Sequence, residues 1–236
     1  KLAARIGRDP ADLKEEDVRA QLLRLKTEHN YSPSSMRTAV AAYTAFYNLH
    51  LGRGWSLFSL VRSPDRQTLP EVLTREQIAA LFAVVREPRF RTILRLIYAC
   101  GLRVGEAVAL EIDDIKASAG RLRIRGAKGN KDRLVPLPQW ILLELRAYWK
   151  THRHPRWVFP GVGRSWRETP GGIERLAQAD EPIGVGSIQH CVRLARAQAR
   201  LPERTCVHTL RHSYATHLGT GLSTPDEMKR LADHPA

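Results

Sequence analysis

The sequence predicts a mainly α fold with a small antiparallel β-sheet (α+β), divided into two domains. Apolar residues recur at helical spacing along most of the chain. Between residues 112 and 133 the pattern changes to alternation, with a turn signal at Gly120. A polar stretch with two prolines at 63–73 separates the first helices from the rest. These three observations predict a helical domain at 1–62, a linker, and a larger α+β domain at 74–236.

Composition allows two hydrophobic cores and indicates a polyanionic partner. The chain has 236 residues, of which 43% are hydrophobic. Its 38 Lys and Arg against 24 Asp and Glu give a formal net charge of +14 at pH 7. This excess favours nucleic acid as the partner, and a basic protein without such a partner is the alternative.

The spacing of the cysteines and the hydropathy of the chain indicate the cellular compartment of the protein. Cys100, Cys191 and Cys206 are far apart in sequence and form no Cys-x-x-Cys pair, which argues against a disulfide scaffold or a zinc cluster. No apolar run reaches the length of a membrane span, and no secretory signal opens the chain. We therefore expect a soluble intracellular protein without a membrane partner. Because the chain starts without Met, in the middle of a pattern, we also expect a fragment.

Two amphipathic helices are predicted in the domain at 1–62. The first runs from Asp17 to about Glu28, and its buried face carries Val18, Leu22 and Leu25. The second has Ser32 as its cap and Pro33 at its first position, and it runs to about His50. Its buried side chains are expected to be Met36, Val40, Tyr43 and Tyr47.

The larger domain opens with two apolar helices and a turn that presents Arg103. Thr74 caps the first helix, and residues 90–99 form the second. Gly101 lets the backbone turn, which aims Arg103 away from the packed face. Glu106 follows one helical turn later and can hold that guanidinium in place. An exposed Arg–Glu pair of little energetic consequence is the alternative. The buried face of the first helix is expected to carry Ile78, Leu81, Phe82 and Val85.

A β-hairpin is predicted after this turn. Leu122 and Ile124 alternate with arginines, and Gly129–Asn130 signals a reversal of the chain. Lys128 then lies near the tip of the hairpin, where a flexible ammonium can reach into a groove. A solvated loop lysine is the alternative.

The carboxyl-terminal half alternates helices with irregular loops. Helices are predicted at 139–149 and 187–201, and a short core strand at 157–161. His152 and His154 lie in a basic loop without a nearby carboxylate or Cys ligand, so we expect solvated side chains and no metal site there. The buried residues of the two helices are expected to be Leu142, Leu145, Trp149, Ile188, Val192 and Leu194.

Four arginines outside these motifs are candidate DNA contacts. Arg37 and Arg53 belong to the amino-terminal domain, whereas Arg193 and Arg196 lie on the predicted helix at 187–201. For each of them a solvated helix face is the alternative.

The stretch at 208–218 carries the strongest chemical signal. In a helix, His208 and Arg211 share a face, because they are three residues apart. A guanidinium forks onto two phosphate oxygens, and an imidazole can move a proton near neutral pH. Leu210, Tyr214 and Leu218 recur every four residues and form a separate apolar stripe. The alternative is a surface helix that happens to carry His and Arg.

Taken together, three motifs resemble those of the tyrosine recombinases, the phage integrase family. Residues 98–110 (YACGLRVGEAVAL) resemble box I, residues 127–133 (AKGNKDR) the lysine hairpin, and residues 208–217 (HTLRHSYATH) box II. Residues 231–234 (LADH) resemble the Leu-Gly-His box, with Asp233 in place of Gly. The motifs occur in the family's order, and the resemblance covers nearly the whole chain.

The resemblance implies a helical core-binding (SAM-like) domain and a tyrosine recombinase catalytic domain. It assigns Arg103 and Arg211 to the non-bridging phosphate oxygens, with Glu106 in support, and His208 to proton transfer at the nucleophile. It assigns Lys128 to protonation of the leaving 5′ oxygen and His234 to a further hydrogen bond. It implies double-stranded DNA as partner, dimers on one site and tetramers in synapsis, and neither a metal nor another cofactor. The implied setting is a mobile element in the bacterial cytoplasm, at the nucleoid.

The family's nucleophilic tyrosine is expected two or three helical turns beyond the Leu-Gly-His box, past Ala236. Tyr214 lies on the apolar side of the box II helix, so we interpret it as a core residue. We therefore expect the chain to be truncated, to receive its tyrosine from another chain, or to be an inactive copy, and in each case not to cleave DNA by itself. A non-catalytic DNA-binding protein is the second hypothesis. A metal-dependent nuclease is the third, and the lack of a carboxylate cluster argues against it.

Overall fold

The structure is a computed structural model that describes residues 8–60, 71–127, 131–162 and 174–219. It confirms the predicted fold class, with helices and one three-stranded antiparallel sheet. The chain divides into two compact units, Lys1–Leu69 and Pro70–Ala236. In the described residues, no helix is both long and apolar enough to span a bilayer.

The first unit is helical. A 3-10 turn at Pro10–Asp12 precedes helices α1 (Glu15–Thr27) and α2 (Pro33–Tyr43). The backbone NH of Ser35 donates to Ser32 Oγ (3.2 Å), so the predicted cap is formed. A π-helical segment, Thr44–His50, continues α2, and α3 (Leu57–Leu60) follows. The core contains Val18, Leu22, Leu25, Met36 and Tyr47 as predicted, whereas Val40 and Tyr43 are only half-buried.

Three helices open the second unit: α4 (Arg75–Val84), α5 (Pro88–Cys100) and α6 (Val104–Val108). The capping box before α4 is formed, since Thr74 N donates to Gln77 Oε1 (2.8 Å) and Gln77 N donates to Thr74 Oγ1 (3.3 Å). The predicted apolar face of α4 is buried, and nine residues of α5 are buried. This makes α5 the central helix of the unit.

The sheet consists of β1 (Ile115–Lys116), β2 (Arg121–Ala127) and β3 (Lys131–Pro136), in that order. Two 3-10 turns, Ile112–Asp114 and Ala117–Ala119, flank β1. Leu122 pairs with Val135 and Ile124 with Arg133, and a bulge follows between Ile124 and Ala127. Leu122 and Ile124 face the core.

The described residues of the unit contain three further helices: α7 (Gln139–His152), α8 (Val185–Gln198) and α9 (Val207–Gly219). A 3-10 turn at Glu174–Gln178 lies between α7 and α8. The strand predicted at 157–161 was wrong, because Trp157 and Pro160 make only isolated bridges, to Glu111 and Pro182. Val158 and Phe159 are nevertheless buried in the core.

Several predicted side-chain positions were also wrong. Leu194 is 57% exposed, and Ala195 takes the inward position, because it lies seven residues after Ile188 and so returns to the same helix face. Trp149 is half-buried, and Tyr148 is buried instead. His152 and His154 are buried rather than solvated. His154 Nδ1 accepts from the backbone NH groups of residues 156 and 157, so the imidazole fixes a tight turn.

Candidate active site

The turn between α5 and α6 places Arg103 at the start of α6. Gly101 has a positive φ of 60°, and a Cβ atom there would lie 2.4 Å from the ring of Tyr214. Glycine is therefore required at this position both by the backbone and by the packing. Arg103 N donates to Glu106 Oε2 (2.8 Å), and Arg103 Nη1 donates to Glu106 Oε1 (2.9 Å).

Glu106 is the centre of an arginine cluster, which we call the Glu106 cluster: Glu106, Arg103, Arg133 and Arg211. Arg133 forks onto both carboxylate oxygens, with Nη1–Oε1 at 2.8 Å and Nη2–Oε2 at 2.7 Å. Arg211 Nη1 lies 3.9 Å from Glu106 Oε2. Three guanidinium groups against one carboxylate leave a surplus of two positive charges. Such a surplus at a partly exposed surface attracts an anion.

The charges of this cluster fix the ionisation of Glu106. Burial by itself would raise the pKa of the carboxyl group, but hydrogen bonds from Arg133 and Arg103 outweigh that effect and lower the pKa to about 2. Glu106 is therefore an anion throughout the physiological range. It can orient guanidinium groups but cannot act as a proton donor.

Helix α9 carries the other half of the site. Arg211 Nη1 donates to the carbonyl of Gly101, which joins α9 to the turn before Arg103. His208, one turn earlier, is exposed, and its ring meets that of His212 edge to face at a centroid distance of 4.4 Å. Partial burial, His212, Arg211 and Arg103 all lower the pKa of His208. The imidazole is therefore mainly neutral at pH 7 and can accept a proton.

Buried polar contacts hold α9 in place. Leu73 N donates to Ser213 Oγ (2.9 Å), and that hydroxyl donates to Thr209 O (2.9 Å). His217 is 7% exposed, and its Nδ1 lies 2.8 Å from Tyr98 Oη on α5. The predicted apolar stripe was wrong at Leu218, which is 53% exposed. A step of four residues drifts around a helix, so after two steps the inward position falls at 217.

Tyr214 packs as a core residue. It is half-buried, lies against the apolar core of the unit, and contacts the position of Gly101. Burial, and to a smaller extent Cys100, raises the pKa of its hydroxyl. Both features favour the interpretation of Tyr214 as structural.

The remaining candidate residues fall into three groups: those outside the described residues, those that are exposed, and those that are hydrogen-bonded to nearby loops. Lys128 and His234 lie outside the described residues. Arg37 and Arg193 are exposed. Arg53 donates to the carbonyls of residues 11 and 13, and Arg196 donates to those of residues 203 and 205, so both hold neighbouring loops. DNA contacts by these four arginines stay predictions.

Arg133 is the site residue that the sequence analysis missed. Its partner across the sheet is Ile124, which is buried, so Arg133 lies on the inner face of β3. A charged residue on an inward-facing strand position needs a counter-charge, but the sequence carried no signal for this, because the inward orientation depends on the strand register. Across the described residues, no group of three or more His, Cys, Asp and Glu side chains is arranged to hold a metal ion.

Comparisons with known proteins identify the family of this chain. The profile of the "Phage integrase family" matches residues 71–235, which is most of the chain, and that of "Phage integrase, N-terminal SAM-like domain" matches residues 1–57. The chain belongs to the phage integrase family. The family contains the tyrosine recombinases, and the Glu106 cluster lies within the region matched by its main profile.

Curated relatives support the same assignment. Two inferred integrase/recombinases of Sinorhizobium fredii are similar to this chain. The first, y4qK, is 31% identical over 92% of this chain, and the second, y4eF, is 32% identical over 86% of it. The tyrosine recombinase XerA of Thermococcus kodakarensis is 30% identical over 81% of this chain. The chain spans 66% of y4qK, 75% of y4eF and 63% of XerA.

Solved structures share the fold. A lambda integrase dimer bound to a COC′ core site matches all of this chain and 82% of its own chain, with a TM-score of 0.69 and 15% identity. The Tn1549 transposon integrase in complex with circular intermediate DNA matches 98% of this chain and 81% of its own, with a TM-score of 0.65 and 16% identity. At these identities the likeness is one of fold.

Proposed function

We propose that this chain binds a specific recombination site on double-stranded DNA and forms the phosphate-activating part of a site-specific tyrosine recombinase. The observation that carries the proposal is the meeting of Arg103 and Arg211 at Glu106. Arg211 reaches the carbonyl of Gly101 from 110 residues away in the chain, and the resulting cluster has an uncompensated positive charge. Family membership supplies the second support.

The proposed role of the two arginines is to bind the scissile phosphate. Attack on a phosphodiester builds negative charge on its non-bridging oxygens, and fixed guanidinium groups stabilise that charge without a metal ion. Arg103 and Arg211 are 47% and 29% exposed, so both can meet a ligand from solvent. We expect Glu106 to orient them and not to touch the phosphate, since like charges repel.

Two proton transfers accompany the proposed strand exchange. A tyrosine hydroxyl attacks phosphorus, and His208 accepts the proton that this hydroxyl loses. The bond from phosphorus to the 5′ oxygen breaks, and Lys128 donates a proton to that oxygen. The product is a 3′-phosphotyrosyl link, which a free 5′ hydroxyl later attacks in the reverse sense. His234 would donate a further hydrogen bond to the phosphate.

We propose that the nucleophile is not one of the tyrosines in these 236 residues. Tyr98 is bonded to His217 in the core, burial raises the pKa of Tyr148 to about 12, and Tyr214 packs on Gly101. The three other tyrosines, Tyr31, Tyr43 and Tyr47, belong to the first unit. The same observation favours a second candidate function, a recombinase-derived DNA-binding protein without catalysis of its own.

Assembly and location follow from the same proposal. Lambda integrase has been solved as a dimer on a core site and as a tetramer on a Holliday junction. We propose dimers on one site and tetramers in synapsis for this chain as well. Its net charge of +14 suits this use, and the proposal places the protein at the bacterial nucleoid.

Footprinting and a covalent-adduct assay test the proposal together. The 236-residue chain is incubated with candidate attachment-site duplexes at several salt concentrations, and then with a nicked suicide duplex followed by denaturing electrophoresis. We expect site-specific protection that weakens with salt, and no covalent adduct. Failure to bind any duplex at low salt contradicts DNA recognition, and a covalent adduct contradicts an external nucleophile.

A further inference from the structure

We propose that Arg133 is a positioning residue, which acts through Glu106 to keep Arg103 and Arg211 available for a phosphate. The inference rests on the proposed function, because it concerns the same site. Arg133 comes from the sheet, whereas Glu106 and Arg103 come from α6 and Arg211 from α9. The residue therefore joins a third element to the site.

Arg133 is arranged to hold Glu106 and not to bind DNA. Both of its terminal nitrogens are used in the fork, at 2.8 and 2.7 Å from the two carboxylate oxygens. The bidentate geometry is the strongest arrangement that an arginine and a carboxylate can form. The cation is thus directed at Glu106.

The bidentate contact with Arg133 limits the hydrogen bonds that Glu106 can accept from Arg103 and Arg211. Arg103 gives it one terminal nitrogen at 2.9 Å, and the nearest nitrogen of Arg211 stays at 3.9 Å, beyond hydrogen-bond length. If Arg133 were absent, one carboxylate would face two guanidinium groups, and both would be drawn towards its oxygens. Donors that point at Glu106 cannot point at a phosphate. Arg133 thereby occupies the carboxylate of Glu106, which leaves NH groups of Arg103 and Arg211 available to the ligand.

The same fork fixes the hairpin beside the arginine pair. Arg133 lies on β3, and Lys128 directly follows Ala127, the last residue of β2. Ala127 pairs with Lys131, two residues before Arg133. The Arg133–Glu106 contact therefore ties β3 to α6 at a point two residues from the turn end of the hairpin.

The test compares Arg133→Met with a matched control, Lys131→Met. Lys131 is an exposed cation on the same strand, so both variants lose one positive charge near the site. We expect Arg133→Met to weaken binding to duplex DNA at low salt by about tenfold, and Lys131→Met by about twofold. In parallel, 13C NMR of labelled glutamate follows the titration of Glu106. Its pKa should rise from about 2 towards the ordinary glutamate value in Arg133→Met and stay unchanged in Lys131→Met.

A double variant keeps the test decisive if Arg133→Met does not fold. Glu106→Gln removes the charge that Arg133 balances, so Glu106→Gln/Arg133→Met contains no unpaired carboxylate and should fold. In the Glu106→Gln background, we expect Arg133→Met to reduce DNA affinity no more than Lys131→Met does. A loss that persists at about tenfold would mean that Arg133 binds DNA directly and would overturn the positioning role.

The remaining outcomes separate this inference from the proposed function. A Glu106 pKa that stays near 2 in Arg133→Met, or equal losses of affinity in Arg133→Met and Lys131→Met, overturns the inference while DNA binding stands. If the unaltered chain binds no DNA, the proposed function falls. The NMR titration then still decides whether Arg133 controls Glu106.

Discussion

Two arginine clusters in the second unit differ in the number of carboxylates that they contain. In the Glu106 cluster, three arginines share one carboxylate. In the second, which we call the Asp114 cluster, three arginines share two carboxylates: Arg123 and Arg125 meet Asp114 at 2.9 and 2.7 Å, Arg125 also meets Glu111, and Arg156 meets Glu111. The surplus is two positive charges in the first cluster and one in the second.

The two clusters use the same residue types, and the purposes that we propose for them differ. Asp114 is buried and joins the turn before β1 to strand β2, while Glu111 reaches the loop at Arg156. Those contacts connect neighbouring segments, which is a structural task. In the Glu106 cluster the same residue types come from α6, β3 and α9, and the charge is left uncompensated. The proposed anion site therefore rests on the ratio of carboxylates to arginines, more than on the number of arginines.

The largest expected effect is a loss of strand-transfer rate that follows from a change in the Glu106 cluster but not from one in the Asp114 cluster. With a tyrosine nucleophile supplied, Arg211→Gln should slow strand transfer by about a hundredfold to a thousandfold, because a fixed donor to the transition state is lost. Duplex binding should fall by only about tenfold, since many other contacts contribute. The matched variant, Arg156→Gln in the Asp114 cluster, should change the rate little. Measured strand-transfer rates that fall equally in both variants would remove the distinction.

The second prediction concerns acid stability. The pKa of Glu106 is lowered to about 2, so its contribution to stability is present above about pH 4.5 and is lost as the pH falls towards 2. The difference in unfolding free energy between the wild-type chain and Glu106→Gln should shrink by at most about 3 kcal/mol over that range. Urea titrations at several pH values measure it. A difference that is constant with pH would show that Glu106 is not ionically paired.

The third prediction concerns the Asp114 cluster. Asp114→Ala should reduce the free energy of unfolding by about 2 kcal/mol, because Arg123 and Arg125 lose their shared acceptor. Its neighbour Asp113 is exposed, so Asp113→Ala is the matched control and should be nearly neutral. DNA affinity should not fall in either variant. Weaker DNA binding by Asp114→Ala would give this cluster a part in recognition.

The smallest effect is a shift in the titration of His208. Arg211 is one of the cations that lower the pKa of His208. Arg211→Gln should therefore raise that pKa, since the imidazolium form loses a repulsive neighbour. Arg156→Gln should leave it unchanged. Proton NMR of the imidazole resonances measures both, and an unchanged His208 titration in Arg211→Gln would place the two side chains out of electrostatic contact.

Local spacing was enough to predict one half of the Glu106 cluster. Arg103 and Glu106 are three residues apart on one short helix, and Gly101 marks the turn that directs them. The sequence order of motifs also indicated that Arg211 belongs to the same site. Each of these inferences depends on neighbours in the chain or on the family's pattern.

Sequence patterns could not predict what depends on tertiary register. Arg133 stands between Asp132 and Leu134, so local hydropathy does not show which way it points, and only the pairing with Ile124 shows that it faces inward. His217 replaces Leu218 in the core because it is closer to a whole number of helical turns from Leu210 and because Tyr98 accommodates its imidazole. His154 is buried, and its Nε2 meets the backbone carbonyl of Ala179, 25 residues further along the chain. Contacts of this kind decide which polar residues are buried, and hydropathy does not record them.

A structure of this chain bound to a footprinted duplex tests the central claim most directly. The guanidinium groups of Arg103 and Arg211 should both donate to non-bridging oxygens of a single phosphate, with Glu106 still held by Arg133. If these two arginines contact different phosphates, or if the phosphate lies on the Asp114 cluster instead, the Glu106 cluster is not the site of strand cleavage.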